Sequence, residues 1–370
     1  MSTVNWNDYP LTITPEEMVP FDVARAEKIA ERTMQLYNGG QGQTMISVHC
    51  QSWEIPQRVP ALNAMQFPQD MEAFLDRSAI RDYYLSREHE RIGDDWIHST
   101  RPRYGIAEHS AFLGGKVDFS TDTSYQHQIC AELSDFRNLK VERENMWMKL
   151  VVDGMKYMRE KWGKYVPVCL RGAHGPGDLA NAIRGNDIFY DIYDDPDELG
   201  ELLSFCAKAS RQYMEWQREQ ATYISGGCIN GNGVWMPGKS MGHISDDLAT
   251  MLSSEVHEEL FMPSMREFVE GYDTVYLHTH SLGHHVLPHY TAIENIHMYE
   301  LTSDPNAAKA TDVFKQYFDI LADKIIFIRV DLNDILALKD YLSESKLILV
   351  CTAKDEEEAK RAMDLVEKYR

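Results

Sequence analysis

The sequence predicts an α/β protein built as a (β/α)8 TIM barrel with an N-terminal elaboration. Strand, loop and helix patterns alternate through the second half of the chain at roughly the spacing of barrel units. The stretches IIFIRV (325–330) and LILVC (347–351) are nearly continuous apolar runs, as parallel strands buried on both faces require. A length of 370 residues is sufficient for one barrel with additions. A doubly wound open sheet is the alternative architecture.

The chain is expected to form one structural unit with two parts. Residues 1–100 are predicted to be a helical and loop elaboration packed on the barrel, and residues 101–370 to be the barrel itself. Within the first part, Asp22 is expected to cap a helix that continues to about Tyr37. The stretch Thr44–Cys50 is predicted to be a short strand.

Strands and helices alternate from residue 141 onward. The predicted strands are 165–171, 223–229, the strand opening at 274, 295–301, 325–330 and 347–351. The predicted helices are 141–162, 195–222, 253–271, 304–324, one within 331–342 and one after 355. Asp195-Pro196 and Asp304-Pro305 both indicate helix starts, because Asp caps a helix and Pro is favoured at its first position. Residues 230–247 are predicted to be a loop.

Composition and charge exclude several partners. The formal net charge of -21 argues against nucleic acid and anionic lipid as partners. No apolar run approaches the roughly 20 residues that a membrane helix needs, so no membrane association is expected. Six scattered cysteines without a C-x-x-C pair are typical of a reducing compartment, and we expect a cytoplasmic protein.

The stretch TVYLHTHSLGHH (274–285) is the first candidate for chemistry. It begins as a strand, so His278 and His280 share one face and can converge on one small object. The alternative is that one histidine is a hydrogen-bonded core residue and the others line a solvated loop.

Polar residues at strand ends are further candidates, because the catalytic face of a barrel lies at the carboxyl ends of its strands. We predict that His278, Glu300, Arg329 and Asp331 are catalytic, although the last two could simply form a salt bridge. Substrate binding is predicted for Arg171, His174, Asn230, Trp235 and Tyr125.

A metal site would need a third ligand beside the two histidines. Cys351, on the last predicted strand, completes the set His278, His280 and Cys351. Imidazole and thiolate ligands favour zinc, and three protein ligands leave a fourth position open for a substrate.

Several segments of the sequence resemble the uroporphyrinogen decarboxylase superfamily. They are VPVCLRGAHGPGDLANAIRG (166–185), YDIYDDPDELGELL (190–203), ISDDLATMLSSEVHEELFMPSMREFVEG (244–271) and LHTHSLGHHVLPHY (277–290). The resemblance covers roughly residue 166 to the end of the chain and implies a (β/α)8 barrel. The arginine-rich M-R-Q-A-G-R type motif of the true decarboxylases is missing; the corresponding region has the sequence ISVHCQSWEIPQRVP (46–60).

The resemblance therefore points to the branch of cobamide-dependent methyltransferases, which bind zinc through His-x-Cys on one strand and Cys on the last. The matching positions are His278, His280 and Cys351, with His280 standing where the family has Cys. With one thiolate instead of two, the zinc would be a stronger Lewis acid, which favours polarising a methoxy oxygen over activating a thiol.

The function implied by this resemblance is zinc-dependent transfer of a methyl group between a small methylated substrate and the cobalt of a corrinoid protein. An aromatic O-methyl ether is one candidate substrate. The chain lacks the cobalamin-binding D-x-H-x-x-G motif, so the cobamide is expected on a separate partner.

Three alternatives remain open from the sequence. The first is transfer from a methyl-corrinoid to a thiol or folate. The second is a metal-free decarboxylase in which Arg171 and Arg329 hold a carboxylate and His278 acts as an acid. The third is a barrel that has lost catalysis and binds a partner. A homodimer is also left open.

Overall fold

A computed structural model describes residues 4–40 and 42–370 and contains a seven-stranded parallel sheet. The strands of the described chain are β1 (Met45–Cys50), β2 (Val117–Phe119), β3 (Ser124–Gln126), β4 (Ala173–His174), β5 (Tyr223–Ile224), β6 (Gly227–Ile229), β7 (Trp235–Pro237), β8 (Ser240–Ser245), β9 (Thr274–His280), β10 (Ile296–Thr302), β11 (Ile325–Val330) and β12 (Lys346–Ala353). The order in the sheet is β1-β12-β11-β10-β9-β8-β4, with β1 and β4 at the edges. The predicted α/β class is confirmed.

Helices connect and surround these strands. Within the described residues they are α1 (Val23–Tyr37), α2 (Met71–Ile92), α3 (Met146–Met148), α4 (Gly154–Trp162), α5 (Pro176–Arg184), α6 (Ile188–Asp194), α7 (Pro196–Arg218), α8 (Ser254–Val256), α9 (Met262–Val269), α10 (Leu287–Thr291), α11 (Ala310–Gln316), α12 (Phe318–Leu321), α13 (Leu332–Ala337) and α14 (Glu356–Tyr369). Single π-helical turns join α3 to α4 and α8 to α9. None of the helices in the described ranges is long and apolar enough to cross a bilayer.

Helix caps follow the sequence signals in two places. The Asp22 carboxylate accepts a hydrogen bond of 2.9 Å from the backbone N–H of Arg25 and starts α1. The Asp195 carboxylate accepts one of 3.2 Å from Glu198 N–H, and Pro196 is the first residue of α7. Both predicted helix starts are confirmed.

The central sheet separates two apolar clusters. Side chains alternate along each strand, so Tyr276, Phe327 and Val350 lie in one cluster, and Leu277 and Leu349 lie in the other, larger cluster. This alternation decides which polar residues at the strand ends can meet, because residues of opposite parity lie on opposite faces of the sheet.

Part of the central sheet comes from a segment predicted to be a loop. The stretch 230–247 contains β7 and also β8, which pairs with β9 on one side and β4 on the other. The sequence of β8, SMGHIS, is poor in β-branched residues, and therefore gives a weak strand signal. The predicted strand 223–229 is instead split into β5 and β6, which join β7 in a separate antiparallel sheet.

The first 100 residues contribute to the sheet as well as to the periphery. β1 pairs in parallel with β12. Beyond β1, Asp95 N–H donates to the carbonyl oxygen of Ile46, and isolated parallel bridges join Thr100 to Val168 and Leu170 to Asn230. Residue 100 is therefore not a boundary between the sheet and its additions. Residues 1–3 and 41 of this predicted part lie outside the described residues.

The cysteines are all buried and none is in a disulfide bond.

Candidate metal centre

The carboxyl end of β9 brings two imidazoles together on one face of the sheet. The Nε2 atoms of His278 and His280 lie 3.1 Å apart. Both side chains are partly exposed, 15% and 25%, so the pair lies at the surface of a depression and not deep in the core.

Each histidine has a carboxylate behind it. His278 Nδ1 lies 2.9 Å from Glu300 Oε2 on β10, and His280 Nδ1 lies 2.6 Å from Asp304 Oδ1. A carboxylate only accepts hydrogen bonds, so we infer that both Nδ1 atoms carry the proton and donate it. Both Nε2 atoms then present lone pairs toward the same point, as metal-binding histidines do when a carboxylate orients them.

Asp247 supplies a third possible ligand at this point. Its Oδ1 lies 3.4 Å from His280 Nε2 and 3.8 Å from His278 Nε2. This oxygen is buried and forms no well-oriented hydrogen bond with any described residue. Asp247, His278 and His280 therefore offer three ligand atoms within 4.8 Å of one another.

The segment that carries Asp247 is held from both sides. On one side, the Asp246 carboxylate accepts a hydrogen bond from Tyr290 Oη and lies 3.3 Å from His257 Nε2. On the other, Leu248 N–H donates to Asp178 Oδ1 at 2.8 Å. These contacts fix the backbone around Asp247, so its carboxylate is presented to the histidines by a rigid support.

Electrostatics in this cluster favour protons or cations between the ligand atoms. The contact with Asp247 raises the pKa of His280 to about 9, with burial opposing and Asp304 adding to the effect. Burial would lower the pKa of His278, but the hydrogen bond and charge of Glu300 raise it. Burial would raise the pKa of Asp247, yet the facing imidazoles of His280 and His278 lower it.

Glu300 is the centre of a second group with His243 and His278. Its Oε2 accepts from Tyr276 Oη at 3.0 Å and lies 3.3 Å from His243 Nε2, while Oε1 accepts from Arg329 at 3.2 Å. Burial would raise the pKa of Glu300, but the hydrogen bonds from His243 and His278 hold it well below its usual range. Because both oxygens are already bonded, Glu300 is better suited to orient His278 than to bind a metal.

A cleft of about 460 Å³ opens beside the Asp247 side of the cluster. Its walls include Tyr125, His174, Asp178 and Asp247. His174 Nδ1 lies 3.1 Å from Ser245 Oγ, which in turn donates to Asp178 Oδ2. Burial lowers the pKa of His174 to about 4, whereas burial together with the charges of Asp247 and Asp246 raises the pKa of Asp178 to about 7.

Two predicted substrate-binding residues, His174 and Tyr125, therefore line one cleft next to the histidine pair. Tyr125 is 59% exposed and His174 is buried in the cleft wall. Of the residues predicted to be catalytic, His278, Glu300 and Arg329 belong to one hydrogen-bonded cluster.

Cys351 is the main correction. It lies in the same apolar cluster as Leu349, on the face of the sheet opposite to His278, and its side chain is fully buried. Burial raises the pKa of this thiol to about 12. The predicted ligand set of His278, His280 and Cys351 is therefore not formed, and Asp247 instead of Cys351 lies beside the two histidines.

Four other predicted site residues have structural roles. Asp331 accepts from Asp334 N–H at 2.8 Å and caps α13. Asn230 accepts from the backbone N–H groups of Asn232 and Val234 and closes a turn. Trp235 is buried in the core and donates to the carbonyl of Ile224. Arg171 forms an ion pair with the buried Glu108.

Sequence interpretation missed Asp247, His243 and Asp304. The first two lie in the stretch predicted to be a loop, and the Ser-Asp-Asp at 245–247 after a short strand was the available signal. Asp304 was predicted to cap a helix, but α11 begins only at Ala310. Its carboxylate instead bonds His280, Ser281 and Leu282.

Comparisons with known proteins add no assignment. The chain matches no protein-family model, and no curated protein matches it.

Proposed function

We propose that this chain is a metal-dependent enzyme whose ion, zinc by preference, is held by Asp247, His278 and His280. We further propose that it transfers a methyl group between a small methylated substrate in the adjacent cleft and the cobalt of a corrinoid protein. Two imidazoles and one carboxylate form a ligand set of catalytic zinc sites, and this set leaves a position open.

The observation that carries the proposal is the convergence of Asp247 Oδ1 with the two Nε2 atoms. Asp247 Oδ1 has no well-formed hydrogen bond, and as neutral imidazoles His278 and His280 would face each other with lone pairs at 3.1 Å, so without an ion a proton must lie between them. A divalent cation would satisfy all three atoms at once. The residues present therefore fit a metal.

When bound, a divalent ion would supply Lewis acidity to an oxygen of the substrate. The protein's own contribution is orientation, because Glu300 and Asp304 fix the two imidazoles and the anchored segment 245–248 fixes Asp247. Groups held in this way need no rearrangement during the reaction.

Asp178 is the best placed group to handle a proton in the cleft. Cleavage of a methyl–oxygen bond leaves an oxygen anion that must take up a proton. Because its pKa is raised to about 7, a fraction of Asp178 is protonated at neutral pH and can donate. His174 is neutral there, since its pKa is about 4.

The methyltransferase assignment within this class rests on the resemblance of 166–185, 190–203, 244–271 and 277–290 to the uroporphyrinogen decarboxylase superfamily, and on the missing arginine-rich motif of its true decarboxylases. His280 stands where the family has one thiolate ligand, and Asp247 is proposed as the ligand in place of the second, Cys351. A set with no thiolate leaves the ion more positive, which favours polarising an ether oxygen over activating a thiol.

We also infer that the sheet closes into a (β/α)8 barrel. In support, the segment 95–100 lies beside β1 at the edge of the sheet and is bridged to the segment 166–170. The chain continues from 166–170 into β4, which pairs with β8. Closure predicts that the N–H groups of Thr100 and Cys169, which bond across this seam, exchange with solvent as slowly as those of β9. Fast exchange at both would contradict closure.

A metal-free decarboxylase has less support. The two arginines proposed to hold a substrate carboxylate, Arg171 and Arg329, are each paired with a buried glutamate, Glu108 and Glu300. An arginine whose charge is already matched gains less from a substrate carboxylate.

Metal analysis of the purified protein tests the proposal. We expect about one zinc or similar divalent ion per chain, and less than about a tenth of that in His278→Ala and His280→Ala. His284→Ala is the matched control, because this histidine lies in the same stretch but bonds Tyr317. Absence of metal in wild-type protein after zinc is offered would overturn the metal assignment.

Methyl transfer is tested separately with the metal-loaded protein. Methylation of a reduced corrinoid protein by a methoxylated aromatic, but not by its hydroxyl analogue, would support the assignment. If the metal-loaded protein methylates only a thiol or folate, the assignment changes to transfer from a methyl-corrinoid to that acceptor.

A further inference from the structure

A second cleft, of about 330 Å³, shares no lining residue with the cleft beside the metal centre. Its volume is sufficient for a small organic molecule. Residues 59–62 and Phe74 give it an apolar wall. Its other lining residues include Arg81 and Arg103, which are basic, and Asp122, which is acidic. The second cleft therefore combines an apolar surface with two guanidinium groups.

The walls of the second cleft are fixed by a helix and by a backbone contact. Phe74, Ser78 and Arg81 are spaced so that they share one face of α2, and this face lines the cleft. Leu62 N–H donates to the Thr121 carbonyl at 2.9 Å and joins two loops that also line it. The cleft is therefore formed before any ligand enters.

Arg81 brings a positive charge that no described residue balances. This arginine is exposed, and its side chain forms no ion pair or hydrogen bond with residues 4–40 and 42–370. The carboxylate of Asp122, on the same cleft, lies beyond ion-pair distance of it. All five N–H donors of the guanidinium are therefore available to a ligand.

Arg103 is anchored at one end of its guanidinium and free at the other. Its Nη1 donates to both oxygens of the buried Asp82 at 3.0 Å. Burial would raise the pKa of Asp82, but the charge of Arg103 and the hydrogen bonds from His98 and Thr100 hold it well below its usual range. Nε and Nη2 of Arg103 bond to no described residue, and both retain accessible surface on a side chain that is 35% exposed. This edge of the fork has two parallel donors.

Two free guanidinium surfaces in one cleft favour an anionic ligand. The chain as a whole has a net charge of -21, so a cleft in which arginines outnumber carboxylates runs against its overall charge. Asp82 balances Arg103, which leaves the charge of Arg81 for a ligand. The planar fork of arginine donates in pairs to the oxygens of a carboxylate or a phosphate. The apolar wall fits an apolar body attached to that group.

The second cleft is joined to the cleft beside the metal centre. The segments 103–107 and 121–126 contribute residues to both. They bond to each other through Ser124, whose Oγ donates to the Tyr104 carbonyl at 2.6 Å and accepts from Ala107 N–H at 3.2 Å. An occupant of the second cleft therefore contacts the same two segments that form a wall of the first.

We propose that the second cleft binds a small organic anion. Its carboxylate or phosphate group contacts Arg81 and the Nε–Nη2 edge of Arg103, and its apolar body packs on Phe74 and residues 59–62. The site is independent of the metal centre and of methyl transfer, because it uses none of the residues proposed for them.

Calorimetric titration of the purified protein with phenyl phosphate, benzoate and neutral benzyl alcohol tests this site. At least one of the two anions is expected to bind about tenfold or more tightly than benzyl alcohol, since hydrogen bonds to charged groups have that magnitude. Arg81→Gln should remove this preference and fold normally, because the side chain has no contact to lose. Arg103→Lys keeps a charge beside Asp82 but lacks the free edge, and should weaken anion binding as well.

Arg361→Gln is the matched control for the lost charge. Arg361 is an exposed arginine on α14 whose side chain forms no ion pair or hydrogen bond with the described residues. Its variant should bind both anions like wild-type protein. Equal weakening in Arg81→Gln and Arg361→Gln would reveal an effect of net charge and would overturn the assignment.

Two further results would overturn it. One is that neither anion binds more tightly than benzyl alcohol to wild-type protein. The other is that Arg81→Gln binds the anions as tightly as wild-type protein, which would place them elsewhere, for example on the metal ion. Either order of affinity between phenyl phosphate and benzoate supports the site and identifies its anionic group.

Discussion

The Nε2 atoms of His278 and His280 lie 3.1 Å apart, and Asp247 Oδ1 faces both of them. In each ring the other nitrogen, Nδ1, is bonded to a carboxylate. If both imidazoles were neutral, the lone pairs of their Nε2 atoms would therefore face and repel each other. Either a proton or a metal ion must lie between the ligand atoms. The raised pKa of His280, about 9, describes the protonated alternative. Zinc and protons therefore compete for the same place.

Cys351→Ala is expected to keep the full metal content, because the thiol lies on the opposite face of the sheet from His278. The small cavity should cost about 1 kcal/mol of unfolding free energy. Metal analysis of this variant beside His280→Ala separates the two ligand sets. Loss of metal in Cys351→Ala alone would restore the thiolate as a ligand.

Asp304→Asn is expected to weaken metal binding about tenfold or more, because the carboxylate that orients His280 through Nδ1 is lost. Asp331→Asn should leave the affinity unchanged, since Asp331 only caps α13 and Asn is an equally good cap. Competition with a chromophoric chelator measures both affinities. Equal affinities in the two variants would show that Asp304 does not support a ligand.

The pH dependence of zinc binding follows from the pKa of His280. In the metal-free protein this pKa is raised from 6.5 to about 9, so zinc must displace a proton at neutral pH. The apparent affinity should therefore rise by about tenfold per pH unit up to about pH 9. His280→Ala should lose most of this dependence. A flat profile in wild-type protein would mean that His280 does not exchange its proton for the ion.

The raised pKa of His280 also makes the stability of the metal-free protein depend on pH. A raised pKa in the folded state stabilises the protein fully below pH 6.5, and this contribution is lost as pH rises through about 9. Chemical denaturation at several pH values should show wild-type protein losing more stability over this range than His280→Ala. Identical losses would contradict the assigned shift.

The sequence predicted the parallel sheet and the histidine pair because both have local signals. Apolar runs define β11 and β12, and period-2 alternation places His278 and His280 on one face. The helix starts at Asp22 and Asp195 were predictable for the same reason, since a cap is a local hydrogen bond.

The third ligand was not predictable from local patterns. Asp247 approaches the histidines because β8 is inserted beside β9, and the strand signal of β8 is weak. The sequence predicted that Asp304 starts a helix and that Asp331 is catalytic, but Asp331 caps a helix and Asp304 bonds His280. An aspartate that caps a helix and one that supports a histidine look alike in sequence. The face of Cys351 depends on the register of β12, which the runs of apolar residues do not specify.

Gly172→Ala is expected to be far more destabilising than Gly226→Ala, although both glycines have positive φ, +106° and +76°. A Cβ at Gly226 meets nothing within 4 Å, so only backbone strain of about 1–2 kcal/mol is expected. A Cβ at Gly172 would collide with the carbonyl oxygen of His243 in β8, which should add about 1–3 kcal/mol. Because β8 leads into Asp247, this displacement should also reduce metal affinity, whereas Gly226→Ala should not. Denaturant unfolding and zinc titration of the two variants measure these effects, and equal behaviour of the pair would show that the position of β8 does not control the metal centre.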